Sequence, residues 1–225
     1  MRDTANTILA YLQEVGRERE RRAADAALSA RTSAIKLWQQ ERLRSTYGDL
    51  QATERYRAAT TFFMEQLYGP GDFAPRDAQF ARVVPALVRF FPAEVVSTMQ
   101  ALSQLHALSE HFDTEMGLAA TTPAITPEVY GRTWRTVGQP ALRERQIALL
   151  LEVGSALDRH TRSRMLRASL HVMRAPARAA GLADLQNFLE AGFDAFGAMQ
   201  GAGEFLRIIG ERERRLAAEL FGGAG

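Results

Sequence analysis

Residues 62 to 73 read Phe62-Phe63-Met64-Glu65-Gln66-Leu67-Tyr68-Gly69-Pro70-Gly71-Asp72-Phe73, and the rest of the chain is organised around them. The helical period is plain on their N-terminal side. Thr53 precedes a helix predicted over Glu54 to Tyr68, with Tyr56, Ala59, Phe63 and Leu67 on its buried stripe and Phe62 and Gln66 beside it. Gly69, Pro70 and Gly71 end that helix, because glycine accepts a left-handed cap and proline cannot continue the ladder. Glu65 sits among Phe62, Phe63 and Leu67, so it is expected at the heart of the molecule with a basic or hydroxyl partner. A carboxylate buried without one would suffer a large desolvation penalty or take up a proton. Arg174, Arg178 or a tyrosine hydroxyl are the expected partners.

The same period runs outward in both directions. Upstream it places Ile8, Leu12 and Val15, then Ala23, Ala26, Ala30, Ala34, Leu37 and Trp38, on helical stripes. Asp25 is a candidate cap, which leaves one long helix or two over an N-terminal arm of about residues 1–48, packed on the core or extending from it. Downstream, Pro75 suits a first helical turn, and Pro85 inside the next apolar pattern predicts a kink or two short helices. Pro92 opens a helix through Phe112, and Thr126-Pro127-Glu128 opens another. Pro140 starts a further one, and a short helix over Thr161 to Met173 is expected to stop before Pro176. Leu182 to Met199 is nearly all apolar and is expected to be central; Phe205 to Leu220 forms the last helix. No segment alternates with period two. The expected fold is a single all-α domain over residues 1–225, a bundle of roughly eight to ten helices.

Composition narrows the chemistry. The 225 residues include no cysteine, which excludes disulfides, zinc-thiolate sites, iron–sulfur clusters and a thiol nucleophile. The formal net charge is +2, and Lys36 is the only lysine among 28 basic residues. We read the arginine excess as the compositional bias of a GC-rich bacterial genome, spread along the chain, and expect no nucleic-acid partner. Arg17 to Arg22 and Glu211 to Arg215 mix both signs, so each is expected to be a solvated helix face with i,i+4 pairs Glu18–Arg22 and Glu211–Arg215. Met1 to Val15 carries Asp3, Gln13 and Glu14 and lacks a signal-peptide core, and no run of about 18 apolar residues occurs. A cytoplasmic protein without a membrane span is expected.

The string Phe62 to Tyr68 resembles the signature of the bacterial FFLEELY motif proteins, a family with no established activity. Arg174 to Glu190 is similar to that family's second signature, including Ala175-Pro176-Ala177-Arg178 and Gln186-Asn187-Phe188-Leu189-Glu190. Gly192-Phe193 to Phe196 and Arg212-Glu213 continue it. This chain departs from the first signature at Met64 and Gln66, so Glu65 is left without a second acid beside it. The resemblance implies where the fold is centred and supplies no reaction.

Catalytic constellations are missing from the sequence. There is no Glu-x-x-His pair for a carboxylate-bridged di-iron site and no His-Glu-x-x-His zinc spacing. His106–Glu110 and His111–Glu115 are i,i+4 pairs on one helix but point apart, and surface or cap roles are expected for these histidines. No nucleophile elbow and no phosphate loop is present. Gly197 and Gly201 are spaced for close approach of a neighbouring helix. His171, beside Leu170, Val172 and Met173, is a weak candidate for a haem ligand. The polar residues of the two signatures remain: Glu65, Tyr68, Asp72, Arg76, Asp77 and Arg82, then Arg174, Arg178, Gln186 and Glu190. They form either a set of acid–arginine locks between the two halves, the favoured reading, or a docking or ligand surface. The expected function is a non-enzymatic protein-interaction or regulatory module without cofactor, its partner a protein or a second copy of itself. The alternative is a small-molecule binder for haem or an acyl chain; an unrecognised enzyme ranks third.

Overall fold

The computed structural model describes residues 2–67, 69 and 71–222, and among these it contains eleven α-helices, one π-helical turn and no strand. The N-terminal region is two helices, α1 (Arg2–Ala23) and α2 (Ala26–Thr46). Asp25 separates them: its carboxylate accepts the amide hydrogens of Ala27 at 2.8 Å and Leu28 at 3.1 Å, closing the open end of α2. A short α3 (Gly48–Ala52) leads to α4 (Glu54–Phe62). The remaining helices are α5 (Ala74–Phe90), α6 (Ala93–Ala119), α7 (Pro127–Val137), α8 (Pro140–Thr161), α9 (Arg164–Ala179), α10 (Ala183–Ala198) and α11 (Gly203–Gly222).

Both internal prolines lie within continuous helices, so α9 does not stop before Pro176 and Pro85 does not divide its segment into two short helices. Pro85 sits inside α5, and α9 runs through Pro176 to Ala179. Each proline is exposed, so the carbonyl left unbonded one turn earlier is on the wet side of its helix and water can satisfy it.

The signature stretch departs from regular α-helix. Phe63–Leu67 is a π turn that continues α4. The wider turn carries three consecutive side chains, Phe62, Phe63 and Met64, into the core and swings Glu65 out to solvent. Phe62 meets Phe188 of α10 with ring centres 5.5 Å apart, while Phe63 packs edge-on against Tyr47 at 5.7 Å. Tyr68 and Pro70 lie outside the described residues.

The axis of the bundle is α6 rather than the apolar α10. Its 27 residues pack against α1, α2, α5, α7 and α8 and enter three apolar clusters. Val96 joins Ile8, Val84 and Val88 from α1 and α5. Ala101 and Leu105 join the main core built from Tyr47, Phe63, Leu149, Phe196, Phe205 and Ile209. Met116 joins Ile35, Tyr130 and Trp134.

The glycines expected to admit a neighbouring helix serve otherwise. Gly201 is a turn residue with φ of +123°, and beside Gly197 an added Cβ would meet the end of the Arg167 side chain at 2.7 Å and Thr161 Cβ at 3.8 Å. The tightest approach of a neighbouring helix is at Gly117 on α6, where an added Cβ would lie 2.1 Å from Thr32 Oγ1 and 3.1 Å from Leu28 Cδ1 of α2; Gly154, Gly192 and Gly210 are approached at 2.5 to 2.9 Å. Gly117→Ala should therefore destabilise the protein by roughly 1–3 kcal/mol through overpacking. Gly16, mid-way along α1 with nothing within 4 Å of an added Cβ, is the control. Gly16→Ala should stabilise by roughly 0.5–1 kcal/mol. Urea denaturation of the two variants should move the midpoint in opposite directions; equal shifts would mean that the α2–α6 contact is loose.

Candidate functional site

The signature residues occupy several distinct sites. Glu65 is exposed, which overturns the expected buried position, and its carboxylate makes no hydrogen bond or ion pair among the described residues. Asp72, in the turn leading into α5, accepts the Ala74 amide hydrogen at 2.9 Å. Arg76 donates to the Gln66 carbonyl at 3.0 Å and lies over the rings of Phe73 and Phe188 at 4.3 and 4.4 Å, tying the turn to α10. Arg82 donates to the carbonyls of Ala180 and Gly181 at 2.5 and 3.2 Å. Beside it, Gln79 donates to Asp184 at 2.6 Å and accepts the Leu185 amide hydrogen at 2.9 Å. The acid–arginine pair of the second signature stays within it. Arg174 donates to Glu190 at 2.6 Å, and Gln186 donates to both Glu190 and the Leu170 carbonyl at 2.7 Å. Arg178 is exposed on α9.

Asp77 leads instead into the interior. It accepts hydrogen bonds from Arg19 of α1 and His106 of α6, both at 2.7 Å. One turn along α6, Glu110 is only 4 % exposed. It pairs with Arg22, with Lys36 at 3.2 Å and with Arg19 at 3.6 Å, while Lys36 also reaches Asp113 at 3.3 Å. His106, Glu110 and Asp113 fall at i, i+4 and i+7, so one face of α6 carries the centre of the network. The expected solvated face over Arg17 to Arg22 is thus partly an inner face. Glu18 is buried and accepts from His111 at 3.1 Å rather than pairing with Arg22. Likewise Glu213 does not belong to a solvated run: it binds Arg42 at 2.5 Å and the Tyr47 hydroxyl at 2.6 Å. Arg207, not Arg215, is the i,i+4 partner of Glu211, at 2.8 Å.

These surroundings set the protonation states. Burial alone would raise the Glu110 pKa, but Lys36, Arg22, His106 and Arg19 overcome it and hold the carboxyl at about 2. Asp77 is likewise pushed up by burial and brought below its ordinary value by His106, Arg76 and Arg19. Asp113 goes the other way, since burial outweighs the pull of Lys36.

Beside the network lies a cavity of about 80 Å³, lined by Lys36, Arg42, His106, Glu110, Asp113, Tyr130, Arg143 and Gln146 among others. Arg143 closes one wall, its guanidinium between the rings of Phe112 and Trp134 at 3.6 and 3.7 Å. The space suits two or three water molecules at roughly 30 Å³ each. Pockets for ligands of drug or cofactor size occupy roughly 300–1,000 Å³. His171 does not line this cavity and is exposed on α9.

The remaining feature is α9 itself. From residue 159 to residue 183 the sequence holds Arg159, Arg162, Arg164, Arg167, Arg174 and Arg178 and no acid, so the positive charge of this stretch is not offset within it. Leu166, Leu170 and Ala177 face the bundle, whereas Met165 and Val172 on the outside are 67 % and 71 % exposed. Counting acids alongside arginines in a sliding window would have exposed this asymmetry in the sequence.

Fold and site together define an all-α domain with an ionised centre and one exposed basic, apolar helix. A family model described as a domain of unknown function, DUF8198, matches residues 18–225, and the chain belongs to that family. Comparison with curated proteins and with solved structures gave no match. No helix is long and apolar enough to cross a membrane among the described residues.

The opposite shifts of Glu110 and Asp113 make a pH-resolved prediction. A folded pKa of about 2, below the ordinary 4.5, means that Glu110 contributes stability above pH 4.5 and loses it as pH falls toward 2. The contribution is about 3 kcal/mol on the linkage relation. Glu110→Gln should lower the melting temperature at pH 7 and flatten the acid limb between pH 4.5 and 2. Asp113, raised in the folded state, costs stability at neutral pH, so Asp113→Asn should leave the pH 7 melting temperature equal or higher. Thermal melts of both variants from pH 2 to 7 check this.

Proposed function

We propose that this protein is a non-enzymatic interaction module that docks a partner protein on the outer face of α9. The carrying observation is the exposure of Met165 and Val172 on a helix whose flanks bear arginines without acids. Phe90 is also exposed, but single exposed apolar side chains are ordinary on protein surfaces. A repeated apolar position on one helix is the pattern that marks a docking face.

The interior supports the same reading. Glu110, Asp77 and Glu213 are each bonded to cations or hydroxyls that hold neighbouring helices. That arrangement serves cohesion of α1, α2, α5 and α11 around the centre. The apolar content of the α9 face favours protein over a purely phosphate-bearing partner, which basic side chains alone would serve.

A photo-crosslinking residue at position 172 provides the test, with the same residue at exposed position 219 of α11 as control. In the source cells, position 172 should form a protein adduct that is lost when Arg164 and Arg178 are both changed to Glu, and position 219 should not. Absence of any adduct at 172, with normal folding by circular dichroism, would contradict the docking role.

A further inference from the structure

We infer that the outer face of α9 is one half of a two-stranded coiled-coil contact whose other half is a partner-protein helix with apolar core positions flanked by Asp or Glu. This rests on the interaction reading above and names the class of partner.

The spacing carries the inference. Met165, Val172 and Ala179 recur every seven residues, with Ala168 and Ala175 between them, so the five occupy the a and d positions of successive heptads. All five are exposed. Arg164, His171 and Arg178 precede each a position and are the g residues; all three are exposed as well. The bundle uses the opposite face, burying or half-burying Leu166 at b and Leu170 and Ala177 at f, while the second b residue, Met173, stays 48 % exposed. The c-position arginines are already committed: Arg167 pairs with Asp194 at 3.3 Å and Arg174 with Glu190. The helix is therefore held from behind while its seam remains open.

Charge selects the occupant. Arg164 and Arg178 have no acid partner among the described residues, and the e positions, Ser169 and Pro176, are uncharged. A partner with acids at e and g satisfies the arginines in either helix direction. A second copy of α9 would set Arg164, His171 and Arg178 against one another when antiparallel and against Ser169 and Pro176 when parallel. Self-pairing through this seam is thus disfavoured. A bilayer surface fits less well, because the large apolar side chains that α9 exposes are Met165, Val172 and Met173, none of them the Trp, Phe or Leu that insert among lipids. Alanine at both d positions lets a partner backbone come close, and the 16 residues give a seam of about 24 Å.

Two designed 21-residue helical peptides test the proposal, both with Leu at a and d, one with Glu and the other with Lys at every e and g. Fluorescence anisotropy with the full chain should show the Glu peptide bound at least tenfold more tightly than the Lys peptide. The preference should reverse in Arg164→Glu/Arg178→Glu and vanish with loss of binding in Met165→Glu/Val172→Glu. Each substituted side chain is exposed, and unchanged melting curves confirm that the variants fold. Equal affinity for the two peptides, or Glu-peptide binding that survives Met165→Glu/Val172→Glu, would overturn the proposal. So would cosedimentation with phosphatidylglycerol vesicles, lost in that variant, without peptide binding. An adduct at position 172 with no peptide discrimination would leave the docking role standing and remove the acidic coiled-coil partner; no adduct and no peptide binding would remove both.

Discussion

A buried carboxylate governs the architecture. Glu110 lies at the middle of the longest helix, where burial would drive it to take up a proton unless cations surround it. Arg22 and Arg19 come from α1 and Lys36 from α2, so the charge is neutralised only when both N-terminal helices lie against α6. Asp77 and His106 extend the requirement to α5. Apolar packing assembles three separate clusters along α6, and the ionic centre sets how the helices supplying them are registered. A buried ion pair is not a strong source of net stability, but removal of one partner is costly, and this asymmetry makes such a centre specific.

Fold class and most helix limits were legible because they depend on local chemistry: caps at Asp25 and Thr126, prolines at first turns, and an apolar stripe of period 3.6. The proline at 176 misled because a proline on the wet side of a helix leaves its abandoned carbonyl to water, and the local sequence does not say which face is wet. Glu65 misled for a related reason. A π turn shifts the register within five residues, and nothing in the local sequence distinguishes it from regular helix. The ionic centre was hidden because its members come from Arg19, Lys36, Asp77 and Glu110, far apart in sequence. Mixed-charge runs at Arg17 to Arg22 look the same whether they face water or an opposing acid. His106, Glu110 and Asp113 on one face of an otherwise apolar helix were the available clue.

The two ends of the charge distribution complement each other. Inside, acids and bases are closely matched and tie the bundle together. On α9 the arginines outnumber nearby acids, which leaves Arg164 and Arg178 for something outside the chain. Because α9 is held through Leu166, Leu170 and Ala177, a partner on its outer face needs no rearrangement of the core. Stability and recognition are in this way assigned to different faces and different charges.

Hydrogen–deuterium exchange of the native protein and of Glu110→Gln, compared helix by helix at pH 7, tests the central claim most directly. If Glu110 holds the N-terminal helices, the variant should exchange faster in α1 and α2 while α10 and α11, which it does not touch, keep their protection. Uniform acceleration across all helices, or no change in α1 and α2, would show that apolar packing alone sets their place and that the ionic centre does not organise the fold.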